Sequence, residues 1–181
     1  MAGSASWWRE PGTGAYARTE REWRWLLPAL PADAAHAVDI EDRYLAGTTL
    51  RLRRMHGADG DVYKLTQKVR PRADDPSVVA LTNIYLTPDE HARIATLPAD
   101  VLSKRRHRWL VGADDLAVDE LLGRWRGLAL AELEHESTAD RPDISGVDVT
   151  GDDRFSGGSL AAATDSDAAG LLDVVRRLLG S

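Results

Sequence analysis

Seven stretches of the chain alternate polar and apolar side chains with a period of two, the pattern of strands whose two faces meet different surroundings. They are Glu20–Leu26, Thr49–Met55, Val62–Arg70, Val79–Leu86, Lys104–Val111, Leu116–Leu121 and Leu128–Glu136. In the first, Glu20, Glu22 and Arg24 share one face, with Trp23 and Trp25 on the other. The run Gly57-Ala-Asp-Gly60 predicts a turn between the second and third strands. Helix signals are fewer. Thr87-Pro-Asp-Glu90 combines a Thr cap, a Pro at the first helical position and a Glu three residues after the Thr, predicting a helix over 88–96. Pro28–Ala37 reads as a second, short helix. Ser166–Leu179 carries Leu171, Leu172, Val174, Val175, Leu178 and Leu179 on a broad apolar face and predicts a third. Asp140–Ser159 is polar and Gly-rich and reads mostly as loop. Residues 1–18 show no period and read as a flexible N-terminal extension, with residues 19–181 forming one domain.

Composition narrows the function classes. A formal charge of -6 argues against a general nucleic-acid binder, which is normally basic. With no cysteine, thiolate metal sites, disulfides and cysteine nucleophiles are excluded. The apolar runs are too short to span a bilayer, and Met1–Ser6 lacks the start of a secretory leader, so a cytoplasmic location is the default and no membrane partner is expected. A homodimer is left open. The histidines at 36, 56, 91, 107 and 135 show no metal-ligand spacing, and the tryptophans at 23, 25 and 109 read as packing residues.

The distribution of charge matters more than its sum. A solvated strand face normally mixes signs, because like charges on neighbouring same-face positions repel. Here each face tends to one sign: acidic at Glu20 and Glu22, basic at Arg51 and Arg53, at Lys64, Lys68 and Arg70, and at Lys104, Arg106 and Arg108, then acidic at Glu132, Glu134 and Glu136. Closing the strands into a barrel with these faces inward would build a cavity with many phosphate donors, beside carboxylates suited to a hard divalent cation. Glu136 is expected at the rim.

These residues resemble the CYTH superfamily, the triphosphate tunnel metalloenzymes. Glu20-Arg-Glu22-Trp-Arg24 resembles its opening Glu-x-Glu-x-Lys, Arg51-Leu-Arg53 its Arg-x-Arg strand, and Leu65-Thr-Gln-Lys68 its Leu-Thr-x-Lys strand. Arg106-His-Arg108-Trp109 is similar to Lys-x-Arg-Tyr, Val118-Asp119 to Ile-Asp-Val, and Ala131-Glu132-Leu-Glu134 to the Glu-x-Glu strand. Asp148-Val-Thr150-Gly-Asp152-Asp-Arg154-Phe155 is similar to Glu-Val-Thr-x-Asp-x-Arg-Tyr. The matches run in the family's order over about residues 19 to 160.

The resemblance implies an α+β, mainly β fold: an eight-stranded antiparallel tunnel with flanking helices. It implies Mg²⁺ or Mn²⁺ held by Glu20, Glu22, Glu132 and Glu134. Arg51, Arg53, Lys64, Lys68, Arg70, Arg106, Arg108 and Arg154 would grip phosphate, and Glu20, Glu22, Arg24 and Asp152 would serve catalysis. The implied reaction is hydrolysis of a triphosphate-bearing small molecule: inorganic triphosphate, a nucleoside triphosphate or thiamine triphosphate. Two departures bear on it. Arg24 replaces the family's lysine, and Thr82-Asn-Ile-Tyr85 has no carboxylate where the family has a further Glu-x-Glu. A polyphosphate-binding protein with little turnover, or adenylyl cyclase chemistry, are the alternatives.

Overall fold

Opposite charges meet across several strand seams of a closed sheet. The computed structural model describes residues 10–13, 15–135, 141 and 143–180. Its long strands are β1 (Arg18–Leu27), β2 (Ala35–Leu45), β3 (Leu50–Gly57), β4 (Gly60–Val69), β5 (Val78–Leu86), β6 (Ala99–Val111), β7 (Asp114–Leu121) and β8 (Ala129–His135). All pair antiparallel in the cyclic order β1-β8-β7-β6-β2-β3-β4-β5, and β5 returns to β1 to close an eight-stranded barrel. A two-residue β9 (Val147–Asp148) adds to β1 opposite Trp25 and Leu26. The register sets Arg24 against Glu132, Arg53 against Asp42 and Arg106 against Asp119. At these three seams a basic side chain is offset by a carboxylate on the neighbouring strand, whereas across β3–β4 Arg53 meets Lys64.

The hairpin between β3 and β4 is the predicted two-residue turn, with Gly57 paired to Gly60, whose φ of +106° suits a residue without Cβ. Helix α1 (Pro88–Ile94) has its capping box: Thr87 Oγ1 accepts from the Glu90 amide, and Glu90 Oε2 accepts from the Thr87 amide at 2.8 Å. Two further helices, α2 (Gly157–Ala162) and α3 (Asp165–Leu179), complete the chain's C-terminal part, α3 ending at Gly180 with φ +71°.

Inside the barrel, Leu26, Leu102, Leu121 and Leu130 are buried at positions in phase with the charged residues of their strands. They join Trp125, Phe155, Leu160 and, from α3, Ala168 and Val175 in one apolar cluster. Each such side chain contributes about 1.5–3 kcal/mol on burial. A second cluster forms on the outer faces of β1, β7 and β8 from Trp23, Trp25, Leu116, Val118 and Leu133, covered by Ile144 and Leu30. The Arg141 guanidinium lies 5.4 Å from the centroid of the Trp25 ring.

Three expectations change. Pro28–Ala37 is not a helix: a turn joins the Ala34 amide to the Pro31 carbonyl, and Ala35–Ala37 already belong to β2. The helix signal was local, and pairing with both β3 and β6 overrides it. Helix α1 ends at Ile94, short of the expected 96, and none of its residues is buried. Arg18, assigned to the extension, starts β1, and Gly12 packs so closely on Val69 that a Cβ there would lie 2.1 Å from Val69 Cγ2. Residues 1–9, with Trp7 and Trp8, and Glu136 at the expected rim lie outside the described residues. Among the described residues no helix is long and apolar enough to cross a membrane.

Candidate functional site

Inward positions on β1, β2, β3, β4, β6, β7 and β8 bring the charged side chains into one network. Asp42, wholly buried on β2, stands at one centre. It accepts from Arg53 Nε and Nη2 at 2.6 and 2.7 Å, with Arg51 Nε at 3.6 Å and Lys104 Nζ at 3.8 Å. Burial alone would raise this carboxyl, but Arg53, Arg51 and Lys104 outweigh it and hold the group far below the ordinary carboxylate range. Beside it, burial and the Asp42 charge push the Tyr44 phenol up to about 12, so Tyr44 stays protonated.

Asp119 on β7 forms a second centre, accepting from Arg106 Nε and Nη2 at 2.7 and 2.8 Å and pairing with Lys104. The third links β1 to β8. Glu132 Oε1 accepts from Arg24 Nε and Nη2 at 2.9 and 2.6 Å, and its Oε2 from Arg106 at 3.1 Å. Arg24 Nη2 also donates to Glu22 Oε1 at 2.8 Å, and its Nη1 to the Phe155 carbonyl at 2.9 Å. Lys68 pairs with Glu22, and Arg70 lies 3.7 Å from it. Here too burial works to raise Asp119 and Glu132, and the neighbouring cations outweigh it and lower both.

The network surrounds a cavity of about 400 Å³. Among the described residues eight cations line it (Arg24, Arg51, Arg53, Lys64, Lys68, Arg70, Lys104 and Arg106) and only three carboxylates, Glu132, Glu134 and Asp153. Two of the cations are not fully neutralised. Arg51 Nε is buried without a hydrogen-bond partner. Lys64, directly across from Arg53, lies over the Tyr85 ring, 5.4 Å from its Nζ, and burial with Arg53 and Arg51 outweighs the Glu134 charge and lowers its pKa. The β5 face opposite β4 supplies Leu81, Asn83 and Tyr85, so the carboxylate-free strand seen in the sequence does face the lumen. Asn83 there accepts from Thr66 at 2.7 Å.

Three expected site residues lie elsewhere. Arg108 is exposed and pairs with Asp115 at 2.5 Å, beyond the last lumen-lining position of β6. Asp152 and Arg154 pair with each other at 2.5 Å; Asp152 caps the short 3-10 turn Asp153–Phe155, and Arg154 lines a different cavity beside α3. An Asp so held by its neighbour is lowered, not raised as an acid would need to be. Conversely, Asp42, Lys104, Asp119 and Tyr44 belong to the network. Lys104 shares a face with Arg106 and Asp119 lies in a recognised segment, so both carried a signal; Asp42 and Tyr44 lie on the strand whose start read as helix.

The carboxylates expected to hold metal divide into two pairs. Glu22 and Glu132 do not fit a divalent ion, because all four of their oxygens already face Arg24, Arg106 or Lys68. Glu20 and Glu134 do fit. Burial and the Glu134 charge raise the Glu20 carboxyl, so added positive charge would be stabilising there. Among the described residues no three carboxylates or imidazoles converge in a ready-made cage. The remaining ligands would be phosphate oxygens and water, as Mg²⁺ commonly takes them.

The solved structure of the inorganic triphosphatase NE1496 superposes on this chain with a TM-score of 0.53 at 19% identity, covering 80% of this chain and 95% of that one. A second structure, of the hypothetical protein NE1496, gives 0.54 at 22% identity over 80% and 98% of the two chains. Likeness at this identity establishes the fold. No family model matches the sequence, and no curated protein matches it either.

Proposed function

We propose, from the premise that this chain has the triphosphate-tunnel fold of the CYTH proteins, that it binds and hydrolyses a triphosphate-bearing small molecule in its lumen. One observation carries the reading: Lys64 faces Arg53 across the β3–β4 seam, and neither Lys64 nor Arg51 Nε has an anionic partner in hydrogen-bond contact. A phosphate chain would relieve that repulsion and give Arg51 its missing acceptor. Arg51, Lys64, Lys68, Arg70 and Arg106 would hold successive phosphates. Positioned cations that need no reorganisation are the main device for lowering a phosphoryl-transfer barrier. Glu20 and Glu134 would hold Mg²⁺ or Mn²⁺, which when bound supplies further neutralisation of phosphate oxygens. Similarity to an inorganic triphosphatase supports hydrolysis, with inorganic triphosphate, a nucleoside triphosphate and thiamine triphosphate as the substrates to compare.

The carboxylate-free face of β5 favours a second reading, a polyphosphate-binding protein with little turnover. Phosphate release from the three substrates with Mg²⁺ or Mn²⁺, for wild type and Glu20→Gln, separates the two. Release from wild type that Glu20→Gln abolishes supports the hydrolase. Tight binding by calorimetry without release supports the binding protein, and cyclic AMP from ATP would replace hydrolysis by cyclisation.

A further inference from the structure

Arg24 is a buried cation, 6% exposed, set between the two carboxylates that a tunnel metal would need. Its planar guanidinium spends four hydrogen bonds on them and on the Phe155 carbonyl. The main chain fixes it as well. The Arg24 amide donates to Thr150 Oγ1 at 3.0 Å, and its carbonyl accepts from the Val149 amide at 2.9 Å. A lysine has a single nitrogen and no planar fork, so it could not reproduce the paired Nε and Nη2 contacts with Glu132. For a divalent ion to bind between these two glutamates, Arg24 would have to give up its hydrogen bonds to both, at the large cost of breaking a buried ion pair.

We propose that Arg24 is a resident cation occupying the position of one metal ion, so that the lumen binds a triphosphate group without any metal and admits a divalent ion only at Glu20 and Glu134. The proposal rests on the reading of the lumen as a triphosphate site. Removing the guanidinium should then exchange a built-in charge for a metal-dependent one.

Two measurements on the full chain test this. In the first, inorganic triphosphate is titrated calorimetrically into wild type in EDTA and again in excess Mn²⁺. Binding in EDTA is expected. In the second, free Mn²⁺ is counted by electron paramagnetic resonance for wild type and Arg24→Ala. The variant is expected to bind one more Mn²⁺ per chain, and its affinity for triphosphate in EDTA to fall by about tenfold or more, with Mn²⁺ restoring it. Binding by wild type only when Mn²⁺ is present overturns the resident-cation assignment alone, as does equal Mn²⁺ stoichiometry in the two proteins. Binding under neither condition overturns the triphosphate reading as well. If Arg24→Ala does not fold, the wild-type comparison decides by itself.

Discussion

Asp42 of β2 and Arg53 of β3 are cross-strand neighbours joined by two parallel hydrogen bonds, Nε to Oδ1 at 2.6 Å and Nη2 to Oδ2 at 2.7 Å, with the carboxylate fully shielded from water. The pair holds a guanidinium at the lumen wall. It also sets the charge against which Arg51 and Lys104 are placed.

Replacing Asp42 should therefore unfold the lumen before it alters any ligand contact. Asp42→Asn leaves Arg53, Arg51 and Lys104 without their shared counter-charge, and breaking a buried pair on one side typically costs about 3–5 kcal/mol. For a chain of this length the melting midpoint should fall by roughly 10 °C, read by circular dichroism.

Stability should be lost in acid. Asp42, Asp119 and Glu132 are all lowered in the folded protein, while unfolded carboxyls titrate near about 4. Their stabilisation is complete above that value and disappears as pH falls through the folded ones. Glu20, raised instead, contributes in the opposite sense and makes a smaller loss toward neutral pH. Urea unfolding between pH 3 and 7 should show a plateau above about pH 5 and a decline below about pH 4, shallower in Asp42→Asn.

Arg51 and Lys64 should separate binding from stability. Neither side chain anchors the fold as Arg53 does, since Arg51 Nε stands 3.6 Å from Asp42 without a hydrogen bond and Lys64 lies over the Tyr85 ring with Glu134 acting only at longer range. Arg51→Met and Lys64→Met should each weaken triphosphate binding by about tenfold or more, with melting midpoints unchanged or slightly raised. Calorimetry and thermal melts on the same samples check both halves. Equal loss of affinity and stability would count against the lumen as the binding site.

Gly157 should tolerate no side chain. A Cβ there would sit 1.9 Å from Tyr44 Oη and 2.9 Å from its Cζ, although the backbone itself is not left-handed. Overpacking of this kind costs about 1–3 kcal/mol, so Gly157→Ala should lower the melting midpoint. Adding Tyr44→Phe, which removes the nearer of the two clashing atoms, should recover part of the loss.

Most of the barrel was legible because charge and apolarity alternate with the strand period. Glu20, Glu22, Arg51, Arg53, Lys68 and Arg106 could be assigned to one side of the sheet from spacing alone, and each does face the network. Strand β2 was not legible. A bulge between His36 and Val38 breaks the alternation, and charged residues occur on both faces, Asp39, Glu41 and Arg43 against Ile40, Asp42 and Tyr44. Asp42 thus looked like one acid among several. Asp152 and Arg154 misled for a different reason: they are two residues apart and satisfy each other, which no strand pattern reveals. The division of the glutamates likewise depends on where one guanidinium fork points, a property of packing rather than of spacing.

The first strand of the barrel to be synthesised is among the last to be completed. β1 waits for β5, then β8, then β9, and Arg24 meets Glu132 and Phe155 only across separations of 108 and 131 residues. Until then the nascent chain carries Trp23 and Trp25 uncovered and Glu22 and Arg24 without all of their long-range partners, a species that aggregates readily if synthesis stalls. A prematurely terminated chain ending before β8 would hold most of the basic residues and none of the closure that organises them. Such a fragment, with 19 Lys and Arg against 18 Asp and Glu in residues 1–128, would be a nearly neutral, unclosed sheet with exposed apolar surface, not a weakened version of the whole.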